Sequence, residues 1–169
     1  MSKAFTREEN EGPDVPELPP LVSTLPPGAK NYITRAGADR LHDELTRLVE
    51  TERPPLAASE DEDAKRRLSI LDQRVFQLEQ SLQSAEVISP GAMPNDSVRF
   101  GATVTVREES GEEATYRIVG VDETDFDRGW VSWLSPIARA LMNTEVGQRV
   151  RFKFPSGEEN LEIIGIKYE

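Results

Sequence analysis

The sequence predicts an α+β fold: an N-terminal antiparallel helical hairpin, then a small β-sheet domain with one short helix. Between Ala38 and Ala85, apolar residues recur every three or four positions, the period of a helix burying one stripe. After Asp96 the pattern changes to short runs rich in β-branched and aromatic residues, separated by turn signals. Pro90, Gly91 and Pro94 stand between the two patterns and break both.

Residues 1–30 hold six of the twelve prolines (Pro13, Pro16, Pro19, Pro20, Pro26, Pro27) and an acidic cluster at Glu8, Glu9 and Glu11. Proline fixes φ and has no amide hydrogen, so 1–30 is expected to be an unstructured tail. Thr34 is placed to cap a helix in which Ala38, Leu41, Leu45 and Leu48 recur at spacings of 3, 4 and 3. Pro54-Pro55 must end or kink that helix, making the first arm the shorter. A second arm is expected from Ser59 to about Val87. Its stripe of Leu68, Leu71, Val75, Leu78, Leu82 and Ala85 is a heptad seam flanked by Asp72, Gln73, Gln77, Glu79 and Gln80. Each stripe suits one partner helix, which predicts an antiparallel coiled-coil hairpin over 31–88 and a linker over 89–95. Since the two seams satisfy each other, the chain is expected to be a monomer.

In 96–169, Phe100 to Val106 and Tyr116 to Val121 read as strands, joined by the turn Glu108-Glu109-Ser110-Gly111-Glu112. Trp130 to Leu134 reads as a further short strand. Trp130 and Trp133 then point to opposite faces, one to the core and one to a surface. Ser135 caps and Pro136 opens a short helix over Ile137 to Met142. Val150 to Phe154 and Leu161 to Tyr168 form a last hairpin around Pro155-Ser156-Gly157. Four or five strands and one helix make a sheet covered on one face.

With 31 acidic and 20 basic residues, the net charge is −11, so phosphates repel the chain unless its basic residues are segregated. Free DNA is thereby disfavoured, and a protein partner or a basic cavity in a larger machine is favoured. There are no cysteines, which excludes disulfides, thiolate metal sites and cysteine nucleophiles. No run nears the ~18 apolar residues of a membrane span, and the first residues have no apolar signal core, so a cytoplasmic protein is expected. His42, the sole histidine, lies beside the seam and is expected to be a surface imidazole.

Five stretches of the C-terminal half, FGATVTV (100–106), YRIVGVDETDF (116–126), SPIARAL (135–141), EVGQRV (145–150) and PSGEENLEIIGIKY (155–168), resemble the Gre transcript-cleavage factors, the GreA/GreB family. In the N-terminal half NYITRAGADRL (31–41), ERP (52–54) and KRRLSILDQRV (65–75) resemble its GreB branch. The resemblance implies a coiled coil followed by an FKBP-like domain that docks on the rim of the secondary channel of bacterial RNA polymerase. The hairpin enters that channel, and two tip carboxylates help hold a Mg²⁺ of the polymerase active site, promoting cleavage of backtracked RNA. Such a factor lends ligands to an enzyme without being one, and it has no cofactor of its own. Hard carboxylate oxygens suit Mg²⁺, and a second metal activates water for phosphodiester hydrolysis.

One departure bears on activity. The family's tip motif, Gly-Asp-x-x-Glu-Asn, has no match here: Pro54-Pro55 leads to Lys65 through LAASEDEDA. The hairpin is about 14 residues shorter than the GreB pattern, or ~10 Å less reach per arm at ~1.5 Å per residue. Glu60, Asp61, Glu62 and Asp63 are either a relocated tip, with Glu60 and Asp63 on one helical face, or a helix start with Ser59-x-x-Glu62 as capping box. Lys65, Arg66, Arg67 and Arg74 align with a family stretch that lies near RNA, and equally suit a solvated helix face. Leu134, Ser135, Pro136 and Arg139 fall where GreB-like proteins contact the polymerase rim, with Leu134 exposed in place of a polar residue; the same Ser-Pro pair simply starts a helix.

Three outcomes remain open: a channel-occupying regulator without the cleavage tip, an active cleavage factor using the acidic run, and a function outside transcription. The last would be an FKBP-type prolyl isomerase, for which the aromatic residues are sparse, or a coiled-coil interaction module, for which no seam is left over.

Overall fold

The computed structural model describes residues 25–89 and 96–169. Most of the expected tail and linker lies outside the described residues. At 25–30, where a tail was expected to continue, the chain instead forms a turn, closed by the Ala29 N–H donating to the Pro26 carbonyl at 3.0 Å with Gly28 at φ 78°.

Strand β1 (Asn31–Ile33) leads into α1 (Arg35–Arg47), which Thr34 caps by accepting from the Gly37 N–H at 3.0 Å. The helical path continues as a π-turn (Leu48–Glu52) and α2 (Arg53–Ala57). The proline pair therefore does not end the arm. An α-helical Pro54 would meet the carbonyl four residues back, but the wider π-turn ahead of it relieves that clash. Pro54 and Pro55 thus sit in the first turn of α2, where no N–H is needed. The first arm is no shorter than α3 (Glu62–Ser84, 23 residues), since its helical path runs from 35 to 57. α3 starts later and ends earlier than the sequence suggests, because Ala85–Val87 leaves the helix to form β2, paired in parallel with β1. The arms meet along Ala38, Leu41, Leu48, Leu71 and Leu78, with Leu45, Leu56, Val75 and Leu82 beside them. Bidentate Arg74–Glu44 (2.8 and 3.0 Å) and Arg53–Asp72 (2.8 Å) ion pairs cross from arm to arm.

The second half is a five-stranded sheet in the order β5-β4-β3-β7-β6, built from β3 (Thr103–Glu108), β4 (Glu113–Val119), β5 (Trp130–Ser132), β6 (Arg149–Phe154) and β7 (Gly157–Lys167). Neighbours pair antiparallel except β4 and β5. Phe100 and Ala102 precede the first strand but are buried with Val104, Val106, Ile118, Leu141, Leu161 and Ile163. Helix α4 (Pro136–Leu141) lies on this core through Ala138 and Leu141, and Ser135 caps it by accepting from the Ala138 N–H. The strand expected over 130–134 stops at Ser132, and Trp133 turns inward against Tyr32, with ring centroids 4.8 Å apart. A 3₁₀ turn, Val121–Glu123, places Glu123 between the sheet and the hairpin base.

Candidate functional site

At the hairpin tip, residues 58–61 connect α2 to α3. Asp61, not Ser59, is the N-cap: its carboxylate accepts from the Ala64 N–H at 3.2 Å, while the Ser59 hydroxyl accepts from Asp61 N–H. The expected Ser59/Glu62 capping box is not formed, because the helix begins two residues later than that box requires. Glu60 consequently precedes the helix and shares no helical face with Asp63. Glu62 pairs with Lys65 at 2.8 Å and Asp63 with Arg66 at 3.7 Å, each one turn along α3. All four carboxylates are exposed. Among the described residues no three acidic or histidine side chains converge as a group of metal ligands.

The basic stretch divides. Lys65 and Arg66 are held by the tip carboxylates, and Arg74 reaches across to Glu44. The Arg74 hydrogen bond holds the Glu44 carboxyl below its ordinary value, against a smaller opposing effect of burial. The same bond raises the Arg74 guanidinium above its own. Arg67 is exposed and makes no ion pair among the described residues, which leaves it the most available cation of the four.

In the sheet domain, Leu134–Arg139 forms a braced corner. The Leu134 N–H donates to Ser132 Oγ at 3.2 Å and the Ser135 N–H to the Ser132 carbonyl at 2.9 Å. Pro136 and Arg139 are exposed, whereas Leu134 is half-buried rather than fully exposed, since the corner folds it back toward Ser132. His42 is exposed, with Nδ1 3.1 Å from the Ala38 carbonyl.

Sequence reasoning missed the joint between the halves. Glu123 lies in the stretch DETDF, yet a lone acidic residue in an acidic chain gives no signal of burial. Trp130 was expected simply as a core or surface ring. It is ringed instead by the guanidiniums of Arg40, Arg117 and Arg128 at 5.1, 5.0 and 5.3 Å from its centroid. A cavity of about 590 Å³ lies at the hairpin base between Leu25–Ala29, α3 and the 3₁₀ turn, lined by Phe76, Arg74, Ser81 and Asp122. Phe76 is its one aromatic wall, and Tyr32, Phe100 and Trp133 are spent on packing.

A family model described as "Transcription elongation factor, GreA/GreB, C-term" matches residues 93–168. The transcription elongation factor GreB of Neisseria meningitidis serogroup B is 39% identical over 154 residues, covering 82% of this chain and 94% of that protein. GreA of Alkalilimnicola ehrlichii is 41% identical over 156 residues, covering 83% and 99%. Among solved structures, a GreA/GreB elongation factor from Nitrosomonas europaea is 26% identical, covers 82% of this chain and 100% of that one, and superposes with a TM-score of 0.41.

Proposed function

The chain belongs to the GreA/GreB family of transcription elongation factors, and from that premise we propose that it binds bacterial RNA polymerase at the rim of the secondary channel and inserts a shortened coiled-coil hairpin. In this reading residues 96–169 are the FKBP-like docking domain, with Leu134, Ser135, Pro136 and Arg139 against the rim. The factor occupies the channel as a monomer, in the cytoplasm where the polymerase works, and any RNA cleavage belongs to the polymerase active site. Arg67 is the cation with which it meets nascent RNA.

What carries the non-cleaving reading is the engagement of the acidic run: Asp61 caps α3, and Glu62 and Asp63 are paired with Lys65 and Arg66. Carboxylates so engaged are stabilised by the helix dipole and by their bases, and they point to no common centre. In both relatives the 154 or 156 aligned positions exceed the share of the 169 residues they cover, so the alignments leave gaps in this chain, as a shorter finger would require. The second reading is an active factor whose Glu60–Asp63 run supplies oxygens to a Mg²⁺ shared with the polymerase.

Two measurements separate these readings. Purified core polymerase should retain the full-length chain on a pull-down, and absence of retention removes the transcription assignment for this mode of action. In a backtracked complex with Mg²⁺, RNA should not shorten faster on adding the factor. Shortening that vanishes in a Glu60/Asp61/Glu62/Asp63→Ala variant establishes the second reading.

A further inference from the structure

We propose that Glu123 is a positioning residue that aims the hairpin, so that docking through Leu134–Arg139 fixes where the tip lands. The proposal rests on the reading above, in which one half docks and the other inserts. The Glu123 side chain is 1% exposed. Its Oε2 accepts from the Thr34 N–H at 2.9 Å and the Gly120 N–H at 3.0 Å. Its Oε1 accepts from the Thr34 hydroxyl and faces Arg40 Nη2 at 3.5 Å. Three of these four donors belong to the hairpin base and one to the sheet domain. A carboxylate buried this deeply is tolerated only with donors all round it, so the donors' places are set by one another.

Two glycines close the joint. A Cβ on Gly37 would lie 2.1 Å from Glu123 Oε1, and one on Gly120 would lie 2.2 Å from the Tyr32 carbonyl oxygen. Only residues without a side chain allow α1 to approach Glu123, and Gly120 to approach β1, so closely. The second arm is tied as well, through Ser81 Oγ donating to the Asp122 carboxylate at 2.8 Å. Trp133, one residue before Leu134, packs against Tyr32 with the ring planes tilted by 43°, which links the docking corner directly to β1. Each arm and the docking corner therefore meet the same few residues.

The lever makes this joint consequential. With 23 residues, α3 is ~35 Å long, and a tilt of about 10° at its base moves the tip about 6 Å. Positions in an active-site channel count at about 1 Å, where misplacement can cost about a hundredfold in rate. A joint serving stability alone would leave the tip's aim unaffected once the protein is folded.

The test uses the full chain, which has no cysteines, so spin labels at Ala58→Cys and Lys153→Cys are site-specific. Their distance distribution should be single and narrow in the parent and at least about twice as broad with Gly37→Ala or Glu123→Ala. Should Glu123→Ala fail to fold, Glu123→Gln keeps the side-chain volume while placing an amide before Arg40, and it should broaden the distribution too. In parallel, a photoreactive group at position 58 should cross-link to the channel interior of polymerase about tenfold less in the variants, an effect on insertion geometry. Capture by polymerase should stay within about twofold, because the docking corner is unchanged. Variants that melt earlier yet keep the narrow distance and the cross-link assign Glu123 to stability alone and overturn the proposal. If the parent chain does not bind polymerase, the functional reading falls, while the distance widths still decide whether Glu123 sets the hairpin's direction.

Discussion

Val98, Ala102, Val104, Val106, Ile118, Ala138, Leu141 and Ile163 of the sheet domain are completely removed from solvent. In the hairpin only Ile33 and Leu78 come close, at 1%, while Leu41, Leu48 and Leu71 stay at 7% and Ile70 and Phe76 are about half exposed. A sheet faced by a helix can surround a side chain on all sides, whereas two helices can only cover one stripe of each other. The hairpin adds to this stripe exposed ion pairs between its arms and the buried Glu123 joint at its base. The sheet domain is thus the stable platform, and the hairpin's order is drawn from what it is attached to.

The largest effect expected from this contrast is in the sheet core. Ile163→Ala should cost ~2–5 kcal/mol, read by urea denaturation with circular dichroism, whereas Leu71→Ala should fall near the low end, ~2 kcal/mol, because its site can collapse toward solvent. Equal losses would break the comparison.

Next comes the corner proposed to dock. Leu134→Asp should weaken polymerase capture by about tenfold while leaving the hairpin's helical signal intact, since an apolar contact at an interface centre contributes on that scale. Unchanged capture would shift docking away from this corner.

Smaller still is the cap at the tip. Asp61→Ala should lower hairpin stability by ~1 kcal/mol in a thermal melt. Full stability in that variant would show that the first turn of α3 is held by other means.

The smallest is the Arg74–Glu44 pair. Its side chains are 46% and 30% exposed, so solvent screens it, and Glu44→Gln should cost only ~0.2–1 kcal/mol near neutral pH. Because the Glu44 carboxyl is held below its ordinary value of 4.5, its contribution is present above that pH and is lost as pH falls through the lower folded value. The parent and Glu44→Gln melting curves should therefore converge in acid, and a constant gap between them would deny the pair its charge character.

Much of this architecture could be read from periodicity. The seam residues Leu41, Leu48, Leu71 and Leu78, the Thr34 and Ser135 caps and the strand pair around Gly111 stand where local spacing places them. The readings that failed depended on context. Pro54-Pro55 was expected to end or kink the first helix and leave that arm the shorter, but a π-turn ahead of the pair accommodated the rings and the helical path runs on to Ala57. Ala85, the last seam position, left the helix because Asn31 offered it a strand partner. Glu60 and Asp63 were paired by counting residues from a helix start that lies two positions later.

By itself, the sequence determined the two-part order, the seams, the strand runs and the absence of the family's tip motif, since each depends on residues near one another along the chain. Tertiary structure alone decided the burial of Glu123, the guanidinium ring around Trp130 and the pairing of Arg74 with Glu44. Each includes a contact between residues 30 to 90 positions apart, and a charge becomes a structural element only when folding takes its water away and supplies donors from elsewhere.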